Sequence, residues 1–161
     1  MEDREFSEVY RRWYRPLLLY ACALTRDQSS AEDLVQNAFM KALLSYHGSL
    51  GGLKAWLTTV LRNEFISNYR REKHFSDSEP DVAAGGDPLE QLMEQEHRSR
   101  VCCVVLSLPE KYRDVLLQSV VLELSDREIA DLHKITVENV RKLRSRAREK
   151  VREQMKKEDA P

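Results

Sequence analysis

The stretch from Leu124 to Arg152, LSDREIADLHKITVENVRKLRSRAREKVR, sets the expectation for the rest of the chain. Ser125 and Glu128 form a capping box, in which each side chain accepts a hydrogen bond from a backbone N–H that a helix start leaves free. Apolar residues follow at helical spacing, and after a short turn Thr136 is a good N-cap for another helix. The pattern predicts a helix, a tight turn and a second helix.

The second of these helices has two unlike sides when its residues are placed at about 100° intervals. An apolar arc comprises Val137, Val140, Leu143, Ala147 and Val151. The opposite side, called the basic face below, comprises Arg141, Lys142, Ser145 and Arg146. A helix that packs on a core through one side and presents cations on the other is suited to entering a DNA major groove.

A solvated, charge-rich helix is the alternative interpretation of this segment. From residue 141 to residue 157 there are nine Lys or Arg and two acidic residues, a net charge of +7. A merely solvated helix would mix the two signs more evenly. From residue 72 to residue 96 the net charge is −7, so the overall value of −1 conceals a basic end and an acidic middle. This asymmetry favours a nucleic-acid-binding end.

Composition excludes several other classes of protein. The three cysteines, Cys22, Cys102 and Cys103, have no CxxC spacing, and the adjacent pair in VCCVVL is predicted to be buried. We expect a reduced, cytoplasmic protein without a metal or a cofactor. The absence of a long apolar run and of a signal peptide predicts no direct membrane insertion. No catalytic triad, paired carboxylates or phosphate loop is evident, so an enzyme is not expected.

All periodic segments have a helical period, which predicts an all-α fold. Gly and Pro concentrate in residues 47–52 and in residues 78–88, and the second stretch is polar and aperiodic. It predicts a flexible linker between two small helical domains, an N-terminal helical bundle and a C-terminal helix-turn-helix domain. We place the domains at residues 1–74 and 89–157, with the linker at 75–88.

The N-terminal domain is predicted to contain three helices. They begin near Glu5, Ser29 and Leu53, and Pro16 is expected to bend or break the first. Their predicted apolar stripes are Phe6, Val9, Trp13, Leu17 and Tyr20; Leu34, Val35, Ala38, Phe39, Ala42 and Leu43; and Trp56, Leu57, Val60, Leu61 and Phe65 or Ile66. In the C-terminal domain, helices over residues 89–106 and 109–122 precede the helix-turn-helix.

Two polar features of the N-terminal domain stand apart from these stripes. The second helix carries an exposed row, called the docking stripe below, which comprises Asp33, Gln36, Asn37 and Met40. The third helix ends in cations beside Tyr69, a combination that suits melted nucleic acid because aromatic rings stack on bases while cations meet phosphates. Tyr46 and His47, in the Gly-rich loop, are expected to be free for a ligand, and Trp56 is interpreted as core.

Several segments together resemble one family. They are AEDLVQNAFMKAL (31–43), LKAWLTTVLRNEFISNYRRE (53–72), LSLPEKYRDVLL (106–117), and LSDREIAD with VENVRKLRSRAR (124–131 and 137–148). In this order they resemble the extracytoplasmic-function (ECF) group of bacterial sigma-70 factors. The resemblance implies a dissociable subunit that binds core RNA polymerase, recognises the −35 and −10 promoter elements and promotes melting.

The resemblance also implies a role for each candidate residue. Polymerase-binding residues, which dock on the clamp helices, would be Asp33, Gln36, Asn37 and Met40. Residues for the −10 element would be Tyr46 and His47 in the base-capturing loop, with Asn63, Arg70 and Arg71 on the adjoining helix. Residues for the −35 element would be Arg141, Lys142, Ser145 and Arg146. The implied partners are core RNA polymerase through its clamp helices and flap, promoter DNA and a cognate anti-sigma factor.

Among the departures of the sequence from the family pattern, two bear on the shape of the helix-turn-helix. His133 and Lys134 occupy a turn where relatives usually have glycine, which adopts a left-handed conformation at little cost. Arg144 falls inside the apolar arc, so its side chain is expected either to extend to solvent or to pair with an acid. A stand-alone helix-turn-helix transcription regulator is the alternative function, but it would leave the docking stripe without a task.

Overall fold

The computed structural model describes the backbone of residues 3–75 and 96–159 and the side chains of residues 4–72 and 100–157. Over these ranges the chain is helical and contains no strand, which confirms the all-α prediction. Contacts divide the chain into two units, Met1–Pro88 and Leu89–Pro161, which are treated separately. Most of the predicted linker, residues 76–88, and the start of the predicted fourth helix, residues 89–95, lie outside the described residues.

The first unit contains three helices, α1 (Asp3–Thr25), α2 (Gln28–Ser45) and α3 (Leu50–Phe75). The prediction that Pro16 interrupts α1 is wrong in its stronger form, because the helix runs through this position without a break. Proline removes one helical hydrogen bond, but Leu17 and Leu18 beside it are buried. We infer that this burial holds the helix together across the proline.

The core of the first unit lies among the inward sides of these helices. Fully or almost fully buried residues include Leu17, Tyr20, Ala21, Cys22, Leu34, Val35, Ala38, Phe39, Ala42, Leu53, Leu57 and Leu61. Five of the six residues predicted for the α2 stripe are therefore buried. The sixth, Leu43, was predicted wrongly, since it is 57% exposed. Its exposure places Leu43 at the edge of the apolar face of α2.

The second unit contains α4 (Glu96–Ser107), α5 (Glu110–Val120), α6 (Asp126–His133) and α7 (Val137–Asp159). Pro109 is the N-cap of α5, consistent with its expected place at a helix start. Leu108, Leu116 and Ala147 form a cluster that joins α5 to α7. The prediction that Cys102 and Cys103 are buried is wrong, because Cys103 is exposed and Cys102 is half-buried. In a helix, adjacent residues point about 100° apart, so an apolar sequence run does not bury all its members.

Local hydrogen bonds build the helix-turn-helix as predicted. The Glu128 N–H donates to Ser125 Oγ (3.1 Å), and the Ser125 N–H donates to Glu128 Oε1 (2.9 Å), which completes the capping box. The Asn139 N–H donates to Thr136 Oγ1 (3.1 Å), so Thr136 caps α7. His133 Nε2 lies 2.8 Å from Gln118 Oε1 and ties the turn to α5.

Lys134 ends α6 in the left-handed conformation, with φ 57° and ψ 45°. The N–H groups of Lys134 and Ile135 both donate to the Ala130 carbonyl, an arrangement typical of helix ends that glycine closes. The turn therefore keeps the usual shape, and a residue with a Cβ adopts a conformation that costs about 1–2 kcal/mol for L-residues.

Lys134→Gly is expected to stabilise the second unit by about 0.5–1 kcal/mol, because glycine adopts φ > 0 without the Cβ clash. Hydrogen exchange of the α6 and α7 backbone amides would measure the gain. Lys134→Ala is the matched control, since it also removes the long side chain but keeps the Cβ. Equal protection in the two variants would show that the backbone conformation is not the cause.

Candidate nucleic-acid and polymerase interfaces

The structure places the two sides of α7 as the sequence predicted. Val140 and Ala147 have no exposed surface, and Val137, Leu143 and Val151 are half-buried. All four residues of the basic face are exposed. Apolar packing therefore holds one side of α7 against its unit, and the cations on the other side can contact a partner.

Asp126, the first residue of α6, links this helix to α7. Arg144 donates to both of its carboxylate oxygens, to Oδ1 through Nη1 and to Oδ2 through Nη2 (3.2 Å). Arg141 Nε donates to the same Oδ2 (3.3 Å). Arg144 therefore pairs with an acid, one of the two expected outcomes. The side chain of Arg144 is 21% exposed, whereas that of Arg141 is 66% exposed. Arg141 therefore has much more surface that a partner can contact.

The charge pairing shifts the titration of both partners. The hydrogen bond from Arg144, aided by that from Arg141, holds the pKa of the Asp126 carboxyl below its usual value. The same hydrogen bond raises the pKa of the Arg144 guanidinium. Because the folded-state pKa of Asp126 is depressed, its contribution to stability is present above the unfolded pKa of about 3.9 and is lost as the pH falls through the folded value.

The stability advantage of the wild type over Asp126→Asn is expected to be constant between about pH 7 and pH 5 and to shrink below about pH 4. Asparagine cannot titrate, so the difference isolates this carboxylate. Urea unfolding of both proteins at several pH values would measure it. A difference that persists unchanged to about pH 2 would contradict the pairing.

The docking stripe on α2 is exposed, but two of its residues also form hydrogen bonds to other helices of the same unit. Gln36 Nε2 donates to Tyr10 Oη on α1 (3.2 Å). Asn37 Nδ2 donates to Glu64 Oε1 on α3 (3.0 Å). Asp33 and Met40 are exposed, Met40 by 60%. The stripe is therefore a surface of ordered polar groups with an apolar residue at one end.

Two exposed leucines extend this surface beyond the predicted residues. Leu43 is 57% exposed and Leu44 is 78% exposed. On α2 they follow Met40 by three and four residues, which places them on the same side of the helix. Spacing alone could have identified Leu44, because it continues the i, i+4 series of the stripe. Leu43 was instead assigned to the core.

Tyr46 was expected to be free for a ligand, but in the structure its side chain contacts its own loop and α3. Its hydroxyl donates to the Ser49 carbonyl (2.5 Å), and its ring centroid lies 5.2 Å from that of Trp56. A Cβ built on Gly48 would lie 2.6 Å from the Tyr46 hydroxyl. The ring therefore packs against its own loop, and a larger residue at position 48 would require the Tyr46 side chain to shift. His47 is exposed, as expected.

The predicted residues for the −10 element do not form one compact cluster. The loop with Tyr46 and His47 precedes α3, whereas Arg70 and Arg71 lie about 30 Å further along that helix at 1.5 Å per residue. Asn63 lies between them, and it is exposed together with both arginines. A nucleic-acid strand would contact these groups one after another along α3. Trp56, predicted as core, is half-buried against Tyr46.

The fold and the basic face together define a helix-turn-helix protein with a second helical unit. Residues 9–75 match the model of sigma-70 region 2, and residues 100–151 match that of sigma-70 region 4. The ECF RNA polymerase sigma factor SigM of Bacillus subtilis is 27% identical over 91% of this chain and 92% of its own length. The RNA polymerase sigma factor YlaC of the same organism is 29% identical over 98% and 96%.

A solved structure has the same fold. It is the sigma factor RpoE of Bartonella quintana in complex with the anti-sigma factor NepR, with a TM-score of 0.65, 25% identity, and coverage of 95% of this chain and 98% of that one. CnrH, in complex with the cytosolic domain of CnrY, gives a TM-score of 0.61 at 19% identity over 96% and 90%, which supports the fold alone.

The two region models together cover most of the chain and match it in family order. The chain belongs to the sigma-70 family and is an RNA polymerase sigma factor of the ECF group. Residues 9–75, in the first unit, match sigma-70 region 2, and a stand-alone regulator would not explain this match. Among the described residues, no helix is both long and apolar enough to cross a membrane.

Proposed function

We propose that the docking stripe binds the clamp helices of core RNA polymerase. The helix α3, with the loop that precedes it, would hold the melted −10 element. The helix α7 would recognise the −35 element, while the second unit contacts the polymerase flap. The observation that carries this proposal is the exposed basic face of α7 on a capped helix-turn-helix whose apolar arc is buried or half-buried. Such a helix offers Arg and Lys donors to base edges and phosphates.

The first unit would act on DNA after the strands separate. Capturing an extruded base costs unstacking energy, which a loop must offset by enclosing the base. In the loop after α2, Tyr46 supports the backbone from within and His47 is exposed. His47 is therefore the side chain of this pair that would contact the base. Asn63, Arg70 and Arg71 would then hold the strand along α3.

Run-off transcription tests the whole proposal. The full chain is added to bacterial core polymerase on templates with randomised −35 and −10 segments, and the transcripts are sequenced. Enrichment of defined elements at both places is the expected result. If the chain neither associates with core polymerase in the absence of DNA nor changes where transcription begins, the proposal is wrong.

Asp33→Lys is expected to weaken binding to core polymerase by about tenfold or more, because a reversed charge in a complementary interface is repelled. Asp33 is exposed, so the fold should tolerate the change. Glu5→Lys is the matched control, a charge reversal at an exposed acidic residue of α1 that is not part of the stripe. Pull-down with core polymerase measures both, and equal losses would place the docking surface elsewhere.

We also propose that an anti-sigma factor inhibits this chain by covering the docking stripe. The RpoE structure described above, a relative of this chain, is a complex with the anti-sigma factor NepR. Met40, Leu43 and Leu44 add exposed apolar area at one end of the stripe, which is typical of protein-binding surfaces. Capture of a small protein whose binding competes with core polymerase would support the proposal. A factor fully active in cells without any such protein would contradict it.

A further inference from the structure

The contacts of Asp126 give two arginines of α7, Arg141 and Arg144, different roles. Arg144 donates through both of its Nη atoms to the carboxylate. Arg141 donates only through Nε. A guanidinium carries five N–H donors, so the bond at Nε leaves the paired Nη groups of Arg141 for a partner outside the chain. Arg144 is a structural link between α6 and α7, whereas Arg141 is an exposed donor held by one edge.

Holding Arg141 by Nε has a consequence for base recognition. The commonest specific contact between a protein and DNA is a bidentate arginine on the O6 and N7 atoms of guanine. A free arginine must lose side-chain entropy to form that contact. An arginine whose Nε is already bonded within the protein has lost part of that freedom before DNA arrives. Its two Nη groups then make the edge that meets the base.

A carboxylate beside the basic face also has an electrostatic cost. DNA is polyanionic, and each phosphate contact is weakened by a nearby negative charge. Asp126 carries one such charge at neutral pH, where a carboxyl whose pKa lies at or below its usual value is ionised. It therefore lowers affinity for any DNA while ordering one base-reading side chain. The charge of Asp126 weakens binding to every DNA sequence, whereas the ordering of Arg141 strengthens binding only where the matching base pair is present.

We propose that Asp126 is a positioning residue for promoter recognition, which holds Arg141 from α6 so that the Nη edge of this arginine meets one base pair of the −35 element. This inference rests on the proposed role of the basic face. Asp126 acts through Arg141 and contacts no base itself. Replacing it should lower discrimination at one base pair and raise affinity for unrelated DNA.

The test must remove the structural role of Asp126 first. Asp126→Ala alone would leave Arg144 half-buried without its partner, which is expected to destabilise the helix-turn-helix. Arg144→Leu provides the background, because an apolar side chain suits the arc between Val140 and Ala147. The comparison is then between Arg144→Leu and Arg144→Leu with Asp126→Ala, each in the full chain. Asp126→Asn in the wild-type background is a second variant that keeps the size of the side chain.

The measurement is affinity for a duplex −35 element selected by the wild type, for its single-base variants and for an unrelated duplex, at two salt concentrations. Removing Asp126 from the Arg144→Leu background is expected to reduce discrimination at one base pair by about fivefold to tenfold. Affinity for the unrelated duplex is expected to rise, with a steeper salt dependence. In an Arg141→Ala background the same change should no longer affect discrimination.

The outcomes separate this inference from the proposed function. Unchanged discrimination on removal of Asp126, or an equal effect with and without Arg141, overturns the positioning role. If Lys142→Ala and Arg146→Ala impair promoter choice but Arg141→Ala does not, the positioning role is also wrong while the −35 function stands. If none of the basic-face variants impairs promoter choice, the proposed function itself fails.

Discussion

Lys142→Ala combined with Arg146→Ala is expected to weaken binding of the −35 element by about 2–6 kcal/mol, because each base contact of this kind contributes about 1–3 kcal/mol. The loss corresponds to roughly 30-fold to 20,000-fold in affinity. Both residues are exposed on α7, one helical turn apart, and neither is engaged by Asp126. Fluorescence anisotropy of the full chain on a selected duplex would measure the change.

A matched control exists on the same helix. Lys156→Ala with Lys157→Ala also removes two exposed cations, but at a place about 15 Å or more beyond Arg146 along the axis. The control pair is expected to lose far less. Equal losses in the two double variants would mean that general charge, and not contact at the basic face, governs binding. Equal losses on all sequences would assign Lys142 and Arg146 to phosphates.

Leu57→Ala is expected to destabilise the first unit by about 2–5 kcal/mol, since the substitution removes buried methyl groups and leaves a cavity. Leu57, on α3, has no exposed surface and is among the largest fully buried side chains. Domains are stable by only about 5–15 kcal/mol, so the loss is a large part of the total. Binding to polymerase and to the melted strand should weaken together, because both surfaces rest on this core.

Tryptophan fluorescence during urea unfolding would report on this unit alone, because both tryptophans, Trp13 and Trp56, lie within it. Leu44→Ala is the control, the same chemical change at a side chain that is 78% exposed. It should alter stability by no more than about 0.5 kcal/mol. If Leu44→Ala proved as damaging as Leu57→Ala, the assignment of buried and exposed faces on these helices would be wrong.

Local chemistry explains why the helix-turn-helix was predicted closely. The bonds that begin its helices join Ser125 to Glu128 and Thr136 to Asn139, three residues apart in each case. Such contacts depend on neighbours in the chain, so a sequence pattern contains them. The two sides of α7 follow from periodicity in the same way. Even the left-handed turn at Lys134 keeps its shape without glycine.

The sequence-based predictions failed for side chains whose surroundings depend on how the chain packs in three dimensions. Tyr46 could have faced a ligand, but its hydroxyl bonds the Ser49 carbonyl and its ring packs near Trp56. Leu43 was assigned to the apolar face of α2 by helical spacing, and Cys103 was predicted to be buried within the apolar run VCCVVL, but both are exposed. Burial depends on whether another helix covers a given side, and periodicity does not contain that information.

The amino-acid sequence by itself determined the helical class, the capped helix-turn-helix and the separation of basic from apolar sides on α7, because short-range bonds and helical periodicity govern all three. Only the tertiary structure decided which acid meets Arg144, that Asp126 also holds Arg141, and that Asn37 is bonded to Glu64. Those partners are 15 to 27 residues apart in the chain. Their meeting depends on how whole helices pack, which is a property of the folded chain.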